Sequence, residues 1–193
     1  MAIDNSRADA LFYACLALET GSVNAAEKII ATGFPFSGYL NDEKPLSEAA
    51  QLKIFRRDGF VDRFTGQKVF LPPVLTVLSE MLPDVFPNHP NWKRDETHQA
   101  HEMFTATVKK IIPNRPADEF NLATAAYKTK AAKANATLED LGWKILSLEE
   151  IADLRWNGMT GWFMNYVDDH RDLLSVPLIA RWYKAIQNSA QDS

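Results

Sequence analysis

Apolar residues recur at helical spacing through the first sixty positions, in runs separated by glycine and serine. Ser6 precedes a helix predicted from about Arg7 to Glu19, with Gly21 as its stop. Ser22 precedes "VNAAEKIIA", stopped at Gly33, and Ser47 precedes "EAAQLKIFRR", stopped at Gly59. The stretch between the second and third helices, "GFPFSGYLNDEKP", reads as a loop. The pattern then changes. In "GFVDRFTGQKVF", Phe60, Phe64 and Val69 with Thr65-Gly66 between them predict a β-hairpin. "PPVLTVLSEMLPDVF" predicts a buried helix entered through its prolines, and a short helix is expected around Glu96 to Phe104. A β-prone run over 106–112 closes on Pro113, and "NLATAAYKTKAAKAN" is prone to helix. Thr137 is placed to cap "LEDLGWKI", and the tail from Ser147 reads as two helices rich in Trp and Leu.

Composition bounds what this pattern can be. With 193 residues, 46% hydrophobic and 24% charged, the chain has the make-up of a soluble globular protein with a substantial core. No apolar run approaches a membrane span, and the acidic N-terminus lacks the basic region of a signal peptide. Cys15 is the single cysteine, which argues against a disulfide framework or a Cys-rich zinc cluster and fits a reducing cytoplasm. On its apolar helix, Cys15 is expected to be a buried thiol. A net charge of −4 speaks against wholesale wrapping of nucleic acid but leaves room for a local basic face. Such a face is present in sequence. Residues 106–135 hold Lys109, Lys110, Arg115, Lys128, Lys130 and Lys133 against Asp118 and Glu119, so this segment carries +4 and the remainder −8.

Several short motifs fall in a definite order: "RDGF" at 57–60, "LPPVL" at 71–75, "HPNWK" at 89–93 and "TLEDLGW" at 137–143. In these motifs the segment 53–143 resembles the HNH endonuclease family, whose core is a ββα unit holding one metal ion. The resemblance implies an α+β fold, a degenerate ββα-metal core with helices of an N-terminal part (1–52) and a C-terminal part (144–193) packed around it as one compact domain. It also implies the site positions. The family's metal-binding Asp falls on Lys109, its general-base His on Lys110, its loop-fixing Asn on Asn121, and its last metal ligand on Lys130. Many members hold the hairpin with a Cys-x-x-Cys pair. Those places are Asp62 and Thr65 here, so no structural zinc is implied.

Three of the four positions at the chemistry have thus become lysine. A dication about 4 Å from two ammonium groups would be disfavoured by about 16 kcal/mol at an effective dielectric near 20. Deprotonating each lysine at neutral pH instead costs roughly 4–5 kcal/mol. Hard cations also take oxygen ligands, not amines, and without the ion there is no activated water. The expectation is a catalytically inactive nuclease-like protein with no cofactor. It would act by binding, either to DNA or RNA phosphates through Lys109, Lys110 and Lys130 with help from Arg115, Lys128 and Lys133, or to a protein. In the second case it would be an inhibitor or regulator of a nucleic-acid-processing system, as in phage anti-defence. Lysines that merely sit on a solvated helix face are the plain alternative. The enzymatic alternative is an active metal-dependent endonuclease whose site is rebuilt from His98, His101 and Glu102, where "THQAH" spaces two histidines on one helix face. For those histidines a core or capping role is the simpler expectation. His89 is expected to order its loop beside Trp92, and His170 to sit at a solvated helix end. The tail aromatics (Trp143, Trp156, Trp162, Phe163, Tyr166, Trp182, Tyr183) are expected in the core, with a protein-binding patch as the alternative.

Overall fold

A computed structural model describes residues 6–33, 46–89, 91, 93 and 95–191. The predicted loop over 34–45 and Trp92 lie outside those residues. Contacts divide the chain into two units, Met1–Pro45 and Leu46–Ser193. The first is a helical hairpin of α1 (Ser6–Glu19) and α2 (Val23–Gly33). Small residues let these helices approach closely: a Cβ on Gly33 would lie 2.6 Å from that of Ala10. Ala10, Ala14 and Ala26 are buried along this unit. Cys15 is exposed, contrary to the expectation of a buried thiol. The reason is that α1 is apolar on every side, so its spacing does not say which face is inside.

The second unit begins with α3 (Glu48–Arg57), whose N-cap Ser47 accepts a hydrogen bond from the Ala50 N–H as expected. The helix ends in "RDGF". Gly59 takes a left-handed conformation (φ +61°), and a side chain there would run into Arg155, whose guanidinium donates to the Arg57 and Arg56 carbonyls. The expected hairpin over 59–70 is reduced to a tight turn with a single antiparallel bridge, Val61 to Lys68. Asp62 is fully buried within it. One of its oxygens accepts from the Phe64 and Thr65 N–H groups, and the other from the Ala126 N–H. A carboxylate therefore holds this turn.

Helix α4 (Pro72–Met81) starts at the prolines and is buried along most of its length. The short helix α5 (Ala100–Phe104) leads into β1 (Ala106–Lys110), which pairs antiparallel with β2 (Leu122–Ala126). The register sets Ala106 against Ala126, Val108 against Thr124 and Lys110 against Leu122. Helix α6 (Tyr127–Lys133) follows β2 without a break. A third of the run expected to be helical, 122–126, is thus a strand. Its alanines favour helix by propensity, but pairing with β1 and burial of all five residues override that preference. Helix α7 (Leu138–Leu141) opens with the capping box of Thr137 and Asp140. Two more helices, α8 (Thr160–Asp169) and α9 (Pro177–Gln191), complete the chain.

Phe55, Leu52, Leu71, Val77, Phe163, Val167, Ile179 and Trp182 form one core that joins α3, α4, α8 and α9 to the strands. The C-terminal helices therefore share their core with the segment 53–143. Phe163, Trp182 and Tyr183 are buried, while Trp156, Trp162 and Tyr166 pack half-buried against the same cluster. None of the tail aromatics is fully exposed, and Trp143, Trp156, Trp162 and Tyr166 keep part of their surface. Mixed helix and strand, the fold is α+β. Among the described residues no helix is long and apolar enough to cross a membrane.

Candidate anion-binding site

Alternation along β1 decides where its lysines point. Ala106 and Val108 face the core, so Thr107 and Lys109 face the other way, opposite Ala125 and Ala123. Helix α6 folds back against both strands. It turns Thr129 and Lys133, four residues apart, into the protein, and both are buried. Lys109 therefore meets α6 across a surface kept low by two alanines. Burial lowers its affinity for a proton, and the neighbouring charges of Lys133, Lys130 and Lys110 lower it further. Among the described residues no carboxylate forms an ion pair with Lys109, Lys130 or Lys133.

The individual lysines differ in what they can touch. Lys109 is half-buried. Lys110 lies beside the turn after β1, its Nζ 3.4 Å from the Pro113 carbonyl. Lys128, Lys130 and Arg115 are exposed. Burial pulls the pKa of Lys130 and Lys133 down as well, but solvent screens much of that effect at the exposed Lys130. Lys133 is fully buried, and its Nζ donates to the Ala136 carbonyl at 2.8 Å. This corrects the expectation that Lys133 touches phosphate. Its charge acts from beneath the surface, through the field it adds at Lys109.

Asn121 is buried at the mouth of β2 and ties the connecting loop together. Its Oδ1 accepts from the Ile112 N–H at 2.8 Å, and its Nδ2 donates to the carbonyls of Ile112, Pro116 and Arg115. The Ile111 N–H donates to the Asn121 carbonyl. Sequence pointed to Asn121 for this task, but not to its helper. Arg57 of the "RDGF" motif donates to the Leu122 carbonyl at 2.6 Å and to the Glu119 carbonyl, while its Nε lies 2.8 Å from Asp58. Asp58, fully buried, accepts from the Thr124 N–H and pairs with Arg63 as well. The motif was visible, yet its reach of more than sixty residues to the loop has no local signature.

The donor set does not fit the metal of an HNH site. The three positions that the resemblance assigns to holding and using it carry lysines, and among the described residues no three His, Cys, Asp or Glu side chains lie together as ligands. The histidines considered for a rebuilt site are engaged locally. His98 stacks on Phe86 at 4.3 Å, and its Nδ1 accepts from the Ala100 N–H. His101 is buried, with Nε2 3.0 Å from Ser79 Oγ, and burial with the nearby His98 lowers its pKa to about 4. His89 accepts from the Asn91 N–H within its own loop. His170 ends α8 as expected, half-buried and stacked on Tyr166 at 4.2 Å. Set against family models, curated proteins and solved structures, the chain matches none.

Proposed function

We propose that this chain is a nucleic-acid-binding protein built on a ββα unit of the HNH kind, which grips phosphate with ammonium groups in place of a metal ion and does not cut by the metal route. One observation carries this reading: Lys109 stands among Lys110, Lys130 and Lys133, and among the described residues neither Lys109, Lys130 nor Lys133 has a carboxylate partner. Mutually repelling ammonium groups cost stability unless an anion neutralises them, and a polyphosphate strand is an anion of the right extent. The local order of strand, pinned loop, strand and helix supports the reading, because Asn121 performs the loop-fixing task that the resemblance assigns to it. Lys109, Lys110 and Lys130 make the contacts, with Arg115 and Lys128 alongside. Contacts of this kind fix position on a strand and do not read its sequence.

The test is retention of DNA and RNA oligonucleotides at several salt concentrations by wild-type protein and by the Lys109→Glu, Lys110→Glu double variant. The expected result is steep loss of affinity with salt and loss of retention in the variant. Unchanged retention in the double variant overturns the reading. So does plasmid cleavage that a chelator stops.

A further inference from the structure

Phe120 is 84% exposed, the most exposed large apolar residue among those described. Exposed apolar side chains on loops are common, but this one is held out by a frame. Its own N–H donates to Asp118 Oδ1. The residue before it is tied through its carbonyl to Arg57, and the residue after it is buried Asn121 with its several loop contacts. Two residues on, the Leu122 carbonyl accepts from Arg57 again. The backbone on both sides of Phe120 is therefore fixed, so the ring leaves the protein from a defined point of the loop.

The position matters as much as the exposure. Phe120 lies two residues, about 7 Å of backbone, from Leu122, which pairs directly with Lys110. The aromatic residue and Lys110 thus share one end of the hairpin, within reach of one short strand. Aromatic rings beside a basic track are how proteins hold unpaired nucleotides: the bases stack while the ammonium groups follow the phosphates. In a duplex the bases are already stacked on each other, and a ring reaches a base face only by prying a step apart, at a cost of about a few kcal/mol that an unpaired base does not impose. Within the frame, Asp118 spends one carboxylate oxygen on the Phe120 and Asn121 N–H groups. Glu119, the preceding residue, adds a charge of the unfavourable sign to this loop.

We infer that Phe120, presented by the Asn121 and Arg57 frame beside Lys110, is a stacking platform for an unpaired base, so that the strand bound is single-stranded. This rests on the nucleic-acid reading above and narrows it. The experiment measures binding of a labelled single-stranded oligonucleotide and of its duplex by fluorescence anisotropy. Wild-type protein is compared with Phe120→Ala, Phe120→Tyr and Glu119→Gln. Phe120→Ala is expected to weaken single-strand binding roughly 5- to 150-fold and to leave duplex binding unchanged, while Phe120→Tyr retains affinity. Glu119→Gln is expected to tighten binding of both. If the single strand binds as well to Phe120→Ala as to wild type, or if the duplex binds more tightly than the single strand, the inference is overturned while the phosphate grip stands. If wild-type protein binds neither nucleic acid, both fall together.

Discussion

The buried carboxylate of Asp58 accepts a 2.8 Å hydrogen bond from the backbone N–H of Thr124, joining the end of α3 to the middle of β2. The same carboxylate pairs with Arg57 and Arg63. Asp58→Ala leaves Arg63, itself 9% exposed, without its carboxylate, and leaves a strand N–H without an acceptor. The expected cost is about 3–5 kcal/mol, the range for breaking a buried charge pair by removing one partner. Urea denaturation checks it, through a lowered midpoint at an unchanged slope.

Asn121→Ala is expected to loosen the loop over 111–121 more than the fold as a whole. The Ile112 N–H loses its acceptor and three loop carbonyls lose a donor. About 1–3 kcal/mol is at stake for a group left unsatisfied. Hydrogen exchange should report faster exchange at Ile112 and its loop neighbours, with protection in α9 unchanged. Equal loss of protection in both places would mean that the loop and the core open as one.

His101 predicts the shape of the acid limb. Its folded pKa, about 4, lies below its unfolded value near 6.5, so between those two pH values the unfolded chain holds a proton that the folded one does not. Stability from this group is fully present above pH 6.5 and falls as pH drops toward about 4, by something on the order of 3 kcal/mol. His101→Gln should flatten that stretch of the stability curve, and thermal denaturation across the pH range reads it directly. An unchanged slope would assign the acid limb to other groups.

Lys133→Met should move the titration of Lys109 upward, because it removes the first of the like charges acting on that amine. Burial of Lys109 is untouched, so the return toward its ordinary value is partial. For Lys133 itself the sign runs against folding. With its pKa lowered by burial, its penalty is complete below the folded pKa and is relieved as pH rises toward the ordinary value of 10.5. NMR titration of reductively ¹³C-methylated lysines checks the Lys109 shift, and no movement would separate the two amines electrostatically.

Salt dependence gives a count. Replacing exposed Lys128 by Gln should weaken binding to all sequences alike and lower the slope of log affinity against log salt by about 1, if Lys128 neutralises one phosphate. An unaltered slope would place Lys128 off the path of the strand.

Much of this molecule is legible in its sequence where the signal is local. The Ser47 cap, the proline entry to α4 and the Thr137 capping box each depend on residues within four positions of one another, and each forms as expected. The strand at 122–126 was not legible, because its alanines favour helix and only β1, more than ten residues earlier, makes it a strand. The same holds at the site. Lys109, Lys110 and Lys130 were visible as a basic cluster. The burial of Lys133 depends on which way α6 rolls against the strands, which composition does not encode. Arg57 and Phe120 were missed for a related reason. One acts across sixty residues of chain, and the other matters through an exposure that only the pinned loop creates.

The carboxylates of Asp58 and Asp62 have one more effect, seen from the side of β2 away from β1. There the outward N–H groups of Thr124 and Ala126 are already taken by Asp58 and Asp62, and the Thr124 carbonyl accepts from the Arg63 N–H. Two carboxylates and the Arg63 backbone N–H thus occupy the places where a third strand would dock, so the sheet is finished at two strands on that edge. Open edges of this kind invite another chain to add itself by backbone pairing. Here that edge is closed from within, and any partner approaching from that side must be recognised by side chains alone.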